Sequence, residues 1–109
     1  MRNPVINRSV EFNDNRISLY CGQEGKCGVT GKWLEPGKMV VHHIIMVNHG
    51  GTDKYDNLIF ITEDVHQLIH AKDPQTIAKY MKRANINKKG LEKLNKLRIL
   101  VGNDVIVSK

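Results

Sequence analysis

The chain has 109 residues, 40% hydrophobic and 26% charged, a composition that suits one soluble folded domain and leaves little room for two. Its formal net charge is +6, and nine basic residues against two acidic ones fall between Lys72 and Arg98. A basic segment of that kind is what a polyphosphate partner selects, since each neutralised phosphate releases counterions, although a solvated lysine-rich helix face looks the same. No apolar run reaches transmembrane length and the first residues, "MRNPVINRSVEFNDNRIS", lack the apolar core of a secretory signal. No membrane partner and a cytoplasmic location are therefore expected.

In chain order, Asn3-Pro4 and the polar run to Asn15 read as an extended arm. "NRISLYCGQEG" reads as a short amphipathic helix that offers Ile17, Leu19 and Tyr20 to a core and ends at Gly25. Cys21 and Cys27 are the only cysteines, too few for a disulfide framework or a four-cysteine zinc site, so both are expected as small buried packing residues. Where a zinc knuckle would place a second cysteine after Cys27, this chain has Thr30. "TGKWLEPGK" is punctuated by Gly31, Pro36 and Gly37 and reads as turns, with Trp33 expected in the core or as a hydrophobic lid.

"MVVHHII", Met39 to Ile45, is β-branched and apolar and predicts a strand. "NHGGTDKYDN" predicts a loop turned at Gly50 and Gly51, and "LIFIT" from Leu58 a second short strand. Thr62 caps the next predicted helix, with Glu63 and Asp64 in its first turn and Val65, Leu68 and Ile69 as its core stripe, ending near Ala71. Asp73-Pro74 opens a helix to about Arg83, and Asn87 opens another with Leu91, Leu94, Leu97 and Leu100 on its inner side, stopping at Gly102. The tail "NDVIVSK" reads as a strand or a frayed end.

All five histidines lie between Val41 and His70. His66 and His70, four apart on a predicted helix, leave one face together and can converge on one ion. His42 and His43 are adjacent in a predicted strand and so point to opposite faces. Either one could meet the helix, because alternation does not say which face packs there. If it is His42, three imidazoles and an open position make a catalytic type of metal site, and His43 faces the substrate. A histidine nearby can take a proton from an attacking water. Asn57 sits at the end of the loop, placed to brace it, and His49 reads as solvent-exposed or a substrate-side accessory rather than a ligand.

The combined pattern "HHI…GGTDKYDN…HQLIH" resembles the HNH, or ββα-metal, endonuclease core, in the variant with paired first histidines found in colicin-type DNases. The resemblance implies that His42, His66 and His70 bind one divalent ion, that His43 is the general base, and that Asn57 constrains the loop holding His43. A wider resemblance, over "NPVINRSVEFNDNRISLYCGQEGKCGVTG", the histidine core and "LEKLNKLRILVGN", is to the C-terminal endonuclease segment of bacterial group II intron reverse transcriptase/maturase proteins. It implies second-strand cutting during retrohoming, with DNA as substrate and intron RNA and the rest of such a protein as partners. Histidine stands where many members have aspartate as first ligand, so the ion could be Mg, Mn, Zn or Ni; imidazoles suit the last three, carboxylates magnesium.

The expected architecture is α+β: a ββα-metal hairpin-helix core with flanking helices. One domain spans 1–109, with its core at about 38–71, an N-terminal arm and helix in 1–37 and basic helices in 72–109. The expected activity is phosphodiester hydrolysis by in-line attack of water. Lys72, Lys79, Lys82, Arg83, Lys88 and Lys89 are the candidates for holding the DNA backbone, a contact that positions without reading sequence. Two rival readings come from other classes: a non-catalytic, zinc-stabilised nucleic-acid-binding module, and an accessory piece of a larger protein held through the leucines of the last helix. No serine or cysteine nucleophile motif points to another hydrolytic class.

Overall fold

Two short apolar runs make the ribbon on which everything else is hung. The computed structural model describes residues 9–107, and in it β1 (Met39–His43) pairs antiparallel with β2 (Leu58–Thr62). The register sets Val41 opposite Phe60, His42 opposite Ile59 and His43 opposite Leu58. Around the ribbon stand α1 (Val10–Gly22), α2 (Glu63–His70), α3 (Pro74–Ala84) and α4 (Lys88–Leu100). The α+β expectation, a two-strand ribbon followed by a helix and flanked by others, is met. No helix among the described residues is long and apolar enough to cross a membrane.

The helix starts follow local chemistry. Thr62, Asp73 and Asn87 each accept a backbone N–H from three residues on, from Val65, Thr76 and Gly90, which satisfies donors that a first helical turn leaves open. The arm expected up to Asn15 needs correction. Residues 1–8 lie outside the described residues, but the chain is helical from Val10, because Ser9 Oγ accepts the Phe12 N–H at 2.9 Å and Glu11 sits in the positive first turn.

Three expectations about side chains are also corrected. Of the three apolar residues assigned to α1, Leu19 is buried but Ile17 and Tyr20 are exposed at 48% and 38%. Leu19 is seven residues from Phe12 and shares its face, whereas Ile17, two before Leu19, lies about 160° around the helix. Leu100 is exposed and Arg98 is buried in α4, since nine residues from Leu91 to Leu100 turn the helix through two and a half turns and put the last leucine on the far side. Trp33 is 70% exposed. It bridges to Lys26, whose ammonium sits 5.0 Å above its ring, while the next residue, Leu34, takes the buried position.

The core is continuous from α1 through the ribbon to α4, with Ile61, Val65, Leu68, Ile69 and Leu94 fully buried at its centre. Residues 23–34 are strapped to β2. Gln23 both accepts from and donates to the backbone of Phe60, and the Gly28 N–H also reaches the Phe60 carbonyl. Cys27 is buried in this strap but Cys21 is exposed on α1, so only one of the two cysteines packs as expected. After α4 the tail forms no strand through residue 107; Asn95 holds the backbone of Ile106 at both N–H and carbonyl, at 2.7 and 3.0 Å. Residues 108 and 109 lie outside the described residues.

Candidate metal centre

The centre begins with strand alternation. His42 leaves β1 on the side of α2, and its ring centroid lies 5.7 Å from His66 and 5.5 Å from His70. His66 and His70, one helical turn apart, are 4.8 Å from one another. One nitrogen from each ring falls within 4.8 Å of the others, and among the described residues this is the one cluster of metal-ligating side chains so arranged.

Two observations bear on whether these residues suit an ion. His42 is only 3% exposed, and its Nε2 is buried with no hydrogen-bond partner. A buried nitrogen left without a partner costs free energy, and a divalent ion bound among the three rings would satisfy it. Burial, and then the neighbouring imidazoles of His66, His70 and His43, push the His42 pKa down to about 4. Burial and His70 lower that of His66, and burial lowers that of His70. All three rings are therefore neutral near pH 7, the form that ligates. Three donors are one short of a closed tetrahedral set. The residues fit a divalent ion with room for a substrate or water.

The helix that carries two of these rings is anchored at its open end from beyond it. The buried Arg98 guanidinium donates to the carbonyls of Leu68 and of Ala71, the latter at 2.8 Å, and Asn103 Nδ2 donates to Ile69 at 2.8 Å. Those carbonyls close the last turn of α2, where His70 sits, and a cation there also suits the helix dipole. Arg98, counted in the basic segment, is thus a packing residue with no surface to offer.

His43 leaves the ribbon on the opposite side, toward α1. Its ring lies parallel to Phe12 (5.6 Å, 15°) and its Nε2 is 2.8 Å from Asp53 Oδ1. An open pocket of about 290 Å³ is nevertheless lined by all four of His42, His43, His66 and His70, together with Met46 and Val47. Both faces of the ribbon meet at its end.

Asn57 ties the intervening loop shut. Its Oδ1 accepts the Ile45 N–H at 2.8 Å, and its Nδ2 donates to the Ile45 and Thr52 carbonyls at 3.1 and 2.8 Å. The two glycines serve different needs. Gly50 adopts φ +91°, and a Cβ on Gly51 would lie 1.8 Å from the Ile45 carbonyl oxygen. His49 is exposed.

Lys72, Lys79, Lys82, Arg83, Lys88 and Lys89 are all exposed. Arg83 pairs with Asp64 at 3.2 Å and lies with Lys79 against the ring of Tyr80. Asp53 is the residue that sequence reasoning missed. Its loop offers two aspartates, Asp53 and Asp56, and spacing gives no means of choosing the one that turns inward.

Residues 19–72, just under half of the chain, match the family model described as HNH endonuclease. The match runs from the end of α1 through the ribbon to the end of α2 and contains all four clustered histidines. It supports placement in the HNH family, whose domains are nucleases that use a divalent metal on a nucleic acid. No curated protein and no solved structure matches the chain.

Proposed function

We propose that this chain is a metal-dependent DNA endonuclease in which His42, His66 and His70 hold one divalent ion and His43 is the general base. The observation that carries the reading is the convergence of three neutral imidazoles, one of them with a buried, partnerless nitrogen, with a fourth histidine lining the same pocket. When bound, the ion supplies Lewis-acid polarisation of a phosphodiester and neutralises charge developing on the leaving oxygen. His43 takes the proton from the water that attacks phosphorus. Asn57, by fixing Ile45 and Thr52, holds the loop that follows His43 in one shape. The exposed cations Lys72, Lys79, Lys82, Arg83, Lys88 and Lys89 hold the DNA backbone. An all-imidazole set suits zinc, nickel or manganese better than magnesium.

The narrower reading is that this is the second-strand-cutting segment of a group II intron-encoded protein, located in the cytoplasm and working with intron RNA and a reverse transcriptase/maturase. The support for it is the likeness of Asn3–Gly31, the histidine core and Leu91–Asn103 to that family.

The test is cleavage of supercoiled plasmid by the purified chain with Mg²⁺, Mn²⁺, Ni²⁺ or Zn²⁺, beside His43→Ala. Cleavage with at least one ion, falling a hundredfold or more in the variant, is expected for a lost general base. Equal nicking by both proteins, or none by either, would remove the reading and leave a metal-stabilised binding module.

A further inference from the structure

We propose that Asp53 is the positioning residue for His43: its carboxylate keeps the ring proton on Nε2 and leaves Nδ1 as the nitrogen that accepts a proton from water. The inference rests on the reading of His43 as the base and names the group that makes it one.

An ionised carboxylate can only accept a hydrogen bond. A neutral imidazole carries one ring proton, so the 2.8 Å contact between His43 Nε2 and Asp53 Oδ1 places that proton on Nε2. The lone pair then lies on Nδ1. The same contact fixes the ring about its own axis, while the parallel Phe12 ring limits its tilt.

Asp53 is itself held. Ser9 Oγ donates to its Oδ2 at 2.6 Å, and Asn15 Nδ2 donates to its backbone carbonyl at 2.9 Å. Ser9 also caps α1 by accepting the Phe12 N–H, so one hydroxyl joins the helix start to the carboxylate. The residue before Asp53, Thr52, is tied by its carbonyl to Asn57. A loop carboxylate on the surface would make a weak and mobile pair. This pair is only 13% and 26% exposed at its two side chains and is tied to two other segments. Partners of this kind fix tautomer and orientation, and the loss of the comparable carboxylate behind a metal-bound imidazole typically costs about tenfold to a hundredfold.

A structural staple joining the loop to α1 would use the same bonds, so the test reads the ring directly. Nitrogen-15 NMR of the 109-residue chain, with His43 assigned by comparison with His43→Ala, reports which ring nitrogen bears the proton. The wild type is expected to carry it on Nε2 in slow exchange with water. Asp53→Ala should speed that exchange at least tenfold, and Asp53→Asn, near in shape and able to donate to Nε2, should move proton density to Nδ1. Both variants should cleave plasmid tenfold to a hundredfold more slowly, with manganese affinity and melting temperature close to wild type. A wild-type proton on Nδ1, or variants cleaving within twofold of wild type, would overturn the assignment. So would an activity loss that tracks lost metal affinity or lost stability. If His43→Ala also cleaves normally, the base reading falls with it; if only the Asp53 variants do, that reading stands alone.

Discussion

His42 and His43 are neighbours in the chain, yet the two faces of the ribbon give them opposite surroundings. On the α2 face, His42 is buried among imidazoles, and its Nε2 has no partner. On the α1 face, His43 lies along Phe12 with its Nε2 engaged by a carboxylate. Folding spends effort on the second ring and leaves the first unfinished. The difference matches what the proposed ligand and the proposed base would each need: a ligand must offer an unoccupied nitrogen to an ion, and a base needs one nitrogen occupied so that the other is defined.

The sharpest way to break this contrast is to remove the bare nitrogen. His42→Leu should weaken divalent-metal binding roughly a thousandfold, a share of the 10–16 kcal/mol that a complete ligand set can supply. In metal-free protein the same change should be neutral or stabilising, because it replaces an unpartnered buried polar atom with an apolar side chain of similar volume. Calorimetric titration and thermal melts would separate the two effects. A variant that lost metal-free stability as well would mean that the ring holds the fold and not an ion.

Acid should act on the α2 face in the same sense. The His42 pKa is pushed down to about 4 by burial and its histidine neighbours, from about 6.5 in the unfolded chain. Between those values the unfolded state binds the extra proton, so stability is full above pH 6.5 and falls as pH drops toward 4, by roughly 3 kcal/mol from this group. His66 and His70 shift the same way. Urea titrations of metal-free wild type should show that slope, and His42→Leu should flatten it. An unchanged slope in the variant would place the titration elsewhere.

Asn57→Ala tests the loop that joins the faces. It leaves the Ile45 N–H and the carbonyls of Ile45 and Thr52 without this partner, a cost of about 2 kcal/mol in denaturant melts.

The parts of this arrangement that the sequence made legible are those fixed by local rules. Strand alternation sent His42 and His43 apart, and helical spacing put His66 and His70 together. Thr62, Asp73 and Asn87 marked their helices because capping is decided within three residues. What stayed hidden depended on which surfaces meet. Alternation could not say which histidine faced α2, and nothing local separated Asp53 from Asp56. Arg98 read as one more surface cation, although it closes the last turn of α2 from thirty residues away. Trp33 read as core or a hydrophobic lid, and the core half fails because a turn handed the buried position to Leu34.

The division of labour between the two adjacent histidines is tested most directly by titrating manganese or zinc into wild type, His42→Leu and His43→Ala side by side. The account predicts one ion per chain, an affinity in His43→Ala within about threefold of wild type despite lost cleavage, and a collapse of affinity in His42→Leu. Equal loss of the ion in both variants, or no ion bound by the wild type, would contradict it.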